Sequence, residues 1–447
     1  MLVTGSARRA AALLSLPVVT LGLAGEGLLR RVAGQDRERV RRELRARNAA
    51  RTRRVLGDLK GGAQKAGQLL STVDPAWAEL QDAGTPVPLA ALEPVLLAEL
   101  GSGWRALFTS FGEVPVATAS LGQVHRATWA ADGSDVAVKV QLPGVREALA
   151  ADLRLVSLVT RVAGVVAPGL ALPPLVGELR ERLTEELDYE REGRVQAAFA
   201  SAYAGSASVV VPDVVLARPR VLVSRWLPGE RLSVVAAGGS PEVRAGAAAA
   251  YQEFLVSGPA RTGWLHTDPH PGNFRVLPDG RLGVLDFGSA LALPGGMPAT
   301  FGRLIRVLLA GSDAEVERGL REEGFVRAGA ALRIAELRAV MSPFVEPARH
   351  ERFRFSRGWL RGAVTGGVGD PRDPDFSLAL ALTMPAEQLF THRVWLGLVG
   401  VLCQLESEVP VGPVLRRWLP GFAGPVQEPV EGVAPEGVSE RPGRVGP

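Results

Sequence analysis

Cysteine is almost missing from this 447-residue chain, where Cys403 is the only one. That excludes a disulfide framework and any metal site built on thiolates, and it suits a chain that folds under reducing conditions. Lysine is nearly as scarce: arginine has replaced it everywhere except at Lys60, Lys65 and Lys139. Asparagine survives only at Asn48 and Asn273. A dense positive surface is lacking too, since a formal charge of +4 gives no stripe for a phosphate backbone. Nucleic acid is therefore not an expected partner. Nor does the N-terminal apolar run, Ala10 to Gly25 behind Arg8 and Arg9, reach the length of a bilayer. It resembles a signal-peptide core, but Pro17 interrupts it and Glu26 closes it, so it reads as a buried or surface-lying helix on a cytosolic chain.

What is present points to a folded enzyme-sized protein. Apolar residues make up 47% of the chain, enough for one large core or two ordinary ones. A residue type that survives in so few places can mark positions where its chemistry has no substitute, and a lysine ammonium is not imitated by the arginine fork. Lys65 and Lys139 lie in recognisable motifs.

Hydrophobic periodicity divides the chain coarsely. Charged helical sequence runs from Gln35 to Arg54, helical character continues to Ser71, and another helix is expected over Ala90 to Leu100. A strand pattern follows at Val136 to Val140, then helices at Val145 to Val166 and Leu175 to Ala202. Val209 to Leu227 reads as two strands around a turn at Arg218 to Arg220, and Ala245 to Thr262 as a long helix. Beyond Phe301 the pattern is mainly helical, and from Gly424 the Gly, Pro and Glu tail has no period and is expected to be disordered.

Two segments carry the chemistry. The first is His266-Thr-Asp-Pro-His-Pro-Gly-Asn273, followed thirteen residues after Asn273 by Asp286-Phe-Gly288. In phosphoryl transfer one aspartate orients the attacking oxygen, an asparagine five residues on helps hold Mg²⁺, and a second aspartate beyond a hairpin bridges metal and phosphates. Asp268, Asn273 and Asp286 take those positions, with Pro278-Asp-Gly280 as the hairpin turn. His266 is expected to brace the loop. The second segment, Asp135-Val-Ala-Val-Lys139, reads as the strand whose lysine contacts nucleotide phosphates. Ahead of it, Val116-Ala-Thr-Ala-Ser-Leu-Gly-Gln-Val-His125 stands where kinases carry a glycine-rich loop, and its side chains should make that loop stiffer. Gly101-Ser-Gly-Trp-Arg-Ala106 mimics a dinucleotide fingerprint but follows a helix, and is discarded. The fold class expected is α+β: a protein-kinase-like two-lobed fold with a helical N-terminal extension and a mainly helical C-terminal lobe.

With these motifs the sequence resembles the UbiB/ADCK atypical kinases, also called aarF-domain proteins. Lys65-Ala-Gly-Gln68 matches their Lys-x-Gly-Gln signature, Ala117, Thr118, Ala119 and Ser120 their alanine-rich loop, and Glu186-Leu-Asp188 their Glu-x-Asp, while His266 to Asn273 matches their catalytic loop. The matches run from about Leu56 to Ser289, roughly half the chain. Departures are Thr118, at the second alanine of the loop, which bears on nucleotide preference, and Val195, in place of an asparagine, which bears on packing. The resemblance implies Mg²⁺ with ATP or ADP as cofactors, and a Lys65 and Gln68 helix packed over the active site as a lid. It further implies ATPase activity or a lipid-linked function, commonly in isoprenoid-quinone biosynthesis, at a membrane surface. Asp188 and Glu192 are four apart and are read as sharing a helix face with Glu186 nearby. Glu192 is then the expected partner of Lys139, and Glu186 and Asp188 of Lys65.

The organisation expected is an apolar segment over 1–34, a helical extension over 35–110, an N-lobe over 111–227, a helical C-lobe over 228–423 and a tail over 424–447. Thr267 stands where a protein kinase has arginine, and His270 where it has a phosphate-binding lysine. The one Ala-Pro-Glu triplet, at Ala434, lies in the tail, so no peptide-docking platform is expected. Two alternatives remain beside the UbiB-type reading: a conventional small-molecule kinase, and a nucleotide-binding pseudokinase acting as a regulatory partner. The expected partners are the nucleotide, a prenyl lipid or quinone precursor and the inner face of a membrane, with a homodimer left open.

Overall fold

A computed structural model describes residues 86–118, 121–150, 185–327, 329–365 and 388–423, with positions 382, 383 and 385 between the last two. Lys60, Lys65, Gln68, Ala119, Ser120, the N-terminal apolar run and the tail lie outside the described residues.

The first described helix, α1 (Leu89–Leu100), packs on a twisted antiparallel sheet. Its strands are β1 (Phe108–Phe111), β2 (Ala117–Thr118), β3 (Gly122–Trp129) and β4 (Asp135–Gln141). Period two decides which way β4 faces. Val136, Val138 and Val140 are fully buried against Leu92 and Leu96 of α1, so Ala137 and Lys139 point to the opposite face. Each fully buried leucine here contributes about 2 kcal/mol of transfer free energy. This core therefore begins upstream of Phe111, with α1 as part of it.

The helix expected over Leu175 to Ala202 is broken: residues 151–184 lie outside the described residues, Glu185 is helical, Glu186 to Asp188 are not, and α2 (Tyr189–Ala202) begins after them. Asp188 is its N-cap: the carboxylate accepts the Arg191 N–H at 2.9 Å, and Glu186 lies in the turn before it. Asp188 and Glu192 thus do not share a helix face. An aspartate just before an apolar-periodic stretch caps more readily than it extends, because its side chain satisfies an orphan N–H of the first turn. Short β5 (Val209–Val210) follows, then β6 (Val214–Arg218) and β7 (Val221–Arg225), which complete the sheet in the order β1-β3-β4-β7-β6 around the expected turn.

The second core gathers around the long helix α4 (Pro241–Thr262), reached through β8 (Glu230–Arg231) and α3 (Leu232–Gly238). Ser240 caps α4, and Tyr251, Phe254 and Leu255 bury its inner face. Against it lie β9 (Trp264–His266), β10 (Phe274–Val276), β11 (Leu282–Val284) and β12 (Ala290–Ala292). β10 and β11 form the expected hairpin, with Gly280 at φ 85°, a conformation open to glycine without strain. The remaining described residues are largely helical: α5 (Ala299–Ala310), α6 (Asp313–Glu322), α7 (Ile334–Val345), α8 (Arg357–Thr365), α9 (Leu389–Leu405) and α10 (Val411–Trp418), with a small ribbon of β13 (Phe353–Arg354) and β14 (Glu408–Val409). Among the described residues no helix is long and apolar enough to cross a membrane.

Candidate functional site

Between the two cores runs a cleft of about 680 Å³, and Ala117, Thr118, Lys139, Glu186, Glu192, Asp268, Asn273 and Asp286 all line it. Asp188, occupied as a helix cap, does not. A second hollow of about 600 Å³ beside Gly229 and Gly280 gathers none of these residues.

Lys139 is the centre of the arrangement. Its ammonium donates to both oxygens of Glu192, at 2.7 and 2.9 Å, and reaches Asp286 Oδ2 at 3.4 Å. Burial works against its charge, but Asp286 and Glu192 outweigh it and hold the ammonium well above its ordinary range. Glu192 is only 2% exposed, and burial pushes its carboxyl up to about 7 against the pull of Lys139. The two shifts pull in opposite senses for the pair's charge. Two short contacts from one ammonium to both oxygens are the geometry of an ion pair, and we take the pair as charged. The Tyr189 ring lies 5.0 Å from the same ammonium, and its hydroxyl is buried without a hydrogen-bond partner among the described residues.

Asp268 and Asn273 sit on the loop after β9. Asn273 Nδ2 donates to Asp268 Oδ2 at 2.9 Å and to its carbonyl at 3.2 Å, which leaves the Asn273 amide oxygen for a cation. Asp286 Oδ1 accepts the Gly288 N–H at 2.9 Å. Among the described residues no cluster of three or more His, Cys, Asp or Glu side chains could hold a metal. The donors that converge, two aspartates and an amide oxygen, are hard oxygens of the kind Mg²⁺ accepts while keeping several waters. They fit that ion, and His266 is elsewhere engaged. Its Nε2–H donates to the Asp286 carbonyl at 2.6 Å, which ties the two loops together, and burial lowers its pKa. Thr267 and Ser289 add a hydroxyl contact at 2.8 Å, and β9 pairs with β12 beside it.

The loop is also held from a direction that local sequence does not announce. Arg393, on α9, approaches Asp268 Oδ1 at 3.5 Å, with both side chains mostly buried. One turn on, Gly397 packs so closely that a Cβ there would stand 2.2 Å from Pro269 Cγ. The Tyr251 hydroxyl of α4 donates to the Pro269 carbonyl. The signal was faint: Arg393 is the one arginine, lysine or acidic residue in the apolar sequence of α9. Tyr189 directly follows the Glu-x-Asp motif and was equally overlooked.

A strand-borne lysine clasped by a helical glutamate, facing two aspartates and an asparagine on paired loops, defines a kinase-like site. Comparison with known proteins agrees. Residues 79–316 match the family model described as the ABC1 atypical kinase-like domain, and the chain belongs to that family. It is 28% identical over 390 residues to the atypical kinase coq-8, mitochondrial, of Caenorhabditis elegans, covering 83% of this chain and 50% of that protein. It is 34% identical over 286 residues to the chloroplastic protein ACTIVITY OF BC1 COMPLEX KINASE 1 of Arabidopsis thaliana, covering 59% of this chain and 40% of that one. The chain thus spans half or less of the length of these curated relatives. A solved structure of Rv3197 from Mycobacterium tuberculosis, in complex with erythromycin, is 35% identical with a TM-score of 0.68 over 87% of this chain and all of that one.

Proposed function

We propose that the chain is a UbiB-type atypical kinase or ATPase with a two-lobed architecture, binding Mg²⁺ with ATP or ADP in the cleft and transferring or hydrolysing phosphate. The observation that carries this reading is the Lys139 ammonium bridging Glu192 at 2.7 Å and Asp286 at 3.4 Å, across the cleft between the two cores. Lys139 would contact the nucleotide phosphates, with Glu192 fixing its direction. Asp286 and Asn273 would hold Mg²⁺, whose charge would offset that of the phosphates. Asp268, turned by Asn273 and Arg393, would orient the accepting oxygen and take its proton. Ala137, Leu222 and Leu285 give the cleft apolar walls suited to a base.

Lys65 and Gln68 complete the reading as a lid. In its favour, Pro86 lines the cleft, and Gln123 clamps Val87 by accepting its N–H at 3.1 Å and donating to its carbonyl at 3.0 Å. The chain that follows the Lys65 motif therefore arrives at the rim of the site. The activity would serve isoprenoid-quinone or other lipid metabolism at the inner face of a membrane, with the chain bound peripherally, alone or as a homodimer.

The test is ATP hydrolysis with and without anionic liposomes and a prenyl-phenol additive. Stimulation by both is expected, and no hydrolysis under any condition would count against catalysis. Lys65→Ala should change turnover with little loss of melting temperature, while Lys60→Ala should not. Two variants that both behave like wild type would remove the lid.

A further inference from the structure

At another part of the cleft wall, two arginines stand directly opposite each other on neighbouring strands, and neither is paired with an acid among the described residues. Arg231 on β8 and Arg275 on β10 are directly paired in register, and Arg275 is paired on its other side with Gly283 of β11. Because side chains alternate across a sheet, these three positions share one face. It is the cleft face: Arg231 and Arg275 both line the cavity, while Phe274 and Val276 on either side of Arg275 are buried in the helical core. Arg275 therefore has a like charge on one flank and a bare glycine on the other. A Cβ at Gly283 would meet Leu227 Cδ1 at 3.0 Å, which leaves little room for an acidic side chain there.

Arginines on and beside the six-stranded sheet are treated differently. Arg126 pairs with Asp135, Arg220 with Glu99 and Arg225 with Asp132. Among the described residues no carboxylate pairs with Arg231 or Arg275; Arg275 donates only to the Gly229 carbonyl, at 2.8 Å. Burial and then the Arg231 charge lower the pKa of Arg275. Like charges placed directly opposite on neighbouring strands are destabilising, so the fold bears a cost here that an anion would relieve.

We infer that Arg231 and Arg275 form a second anion subsite of the cleft, shaped for a phosphate or pyrophosphate group. Two planar forks side by side can bind phosphate oxygens bidentately, and the Ser233 hydroxyl on the same wall adds a donor. The inference deepens the nucleotide reading and rests on the cleft being the ligand site. The phosphate could stand on the ribose of the bound nucleotide or belong to a separate phosphorylated small molecule.

Calorimetric titration separates these cases. In EDTA without Mg²⁺, inorganic pyrophosphate alone should bind the wild-type chain, and Arg231→Gln and Arg275→Gln should each weaken it about tenfold. Each variant should melt at or above the wild-type temperature, because a like-charge contact has been removed. Pyrophosphate that fails to bind, or binds equally to both variants, overturns the subsite. With Mg²⁺ present, adenosine 3′,5′-bisphosphate binding more tightly than AMP, with an advantage lost in the variants, assigns the group to the ribose. Pyrophosphate and ADP binding together without competition assigns it to a second molecule. Failure of Mg·ADP to bind the wild type would count against the nucleotide reading alone, since the pyrophosphate titration decides the subsite independently.

Discussion

On the sheet side of the cleft, Lys139 rises from a strand whose neighbouring residues are buried valines, and its charge is met by Glu192, itself 2% exposed. On the helical side, Asp268, Asn273 and Asp286 sit in loops that other groups hold in place. His266 donates to the Asp286 carbonyl, Tyr251 to the Pro269 carbonyl, and Gly397 admits Pro269 against α9. The first wall thus depends on one buried pair of opposite charges. The second depends on backbone hydrogen bonds and close packing, so its carboxylates can stay open to a ligand. Substitutions should therefore fail differently on the two sides.

The largest effect is expected at Glu192. Glu192→Ala leaves the mostly buried Lys139 with Asp286, at 3.4 Å, as its one paired carboxylate among the described residues, and should cost on the order of 3 kcal/mol. The double variant Lys139→Met with Glu192→Leu should be more stable than Glu192→Ala, because no charge is stranded. Chemical denaturation of the set checks this, and a double variant no better than the single would mean that the pair is not the element holding the sheet wall.

Gly397→Ala probes the other wall. Alanine favours a helix, but a Cβ 2.2 Å from Pro269 must displace the loop, so a net loss of about 1–2 kcal/mol is expected. Turnover should fall more than nucleotide affinity, since Asp268 moves while Lys139 and Glu192 stay. Unchanged turnover would show that α9 does not set the loop.

A pH profile sharpens the comparison through His125 on the sheet side. His125 is fully buried, donating from Nδ1 to the Gly112 carbonyl at 2.7 Å and accepting from Gln123 at Nε2, and burial lowers its pKa. A histidine kept neutral in the folded state costs stability once the unfolded chain begins to bind protons, below about pH 6.5. Burial also raises the Glu192 carboxyl, whose titration adds a separate pH dependence. The difference between wild type and His125→Asn cancels that contribution. By pH 5.5 the wild type should have lost roughly 1 kcal/mol relative to the variant, compared with pH 7.5. Parallel profiles would mean that His125 is not held neutral. The smallest effect is expected for Arg393→Gln: the contact it removes is long, at 3.5 Å, and Asp268 keeps its Asn273 hydrogen bond, so stability should change by about 1 kcal/mol while turnover alters.

Much of this was legible in the sequence where the governing contacts are local. Lys139 followed from the period-two pattern of its strand, the Gly280 turn from its hairpin signal, and the loop from the spacing of Asp268, Asn273 and Asp286. The pairing of Lys139 with Glu192 was expected and is present. The expected helix face shared by Asp188 and Glu192 is absent, because periodicity cannot distinguish a first-turn residue from the cap before it. Arg393 and Gly397 were invisible for another reason: their contacts join segments about 125 residues apart, and only packing brings them to the loop. The facing arginines depend on strand register, which a three-residue strand does not disclose.

The central claim is that Asp286 and its neighbours hold Mg²⁺ and nucleotide phosphates opposite Lys139. A titration of Mg·ADP against wild type and Asp286→Asn, followed by calorimetry with a melting curve for each protein, tests it most directly. The Asp286 side chain is 38% exposed, so the substitution should leave the melting temperature nearly unchanged while weakening Mg·ADP about a hundredfold. Equal Mg·ADP affinity in the two proteins would contradict the account.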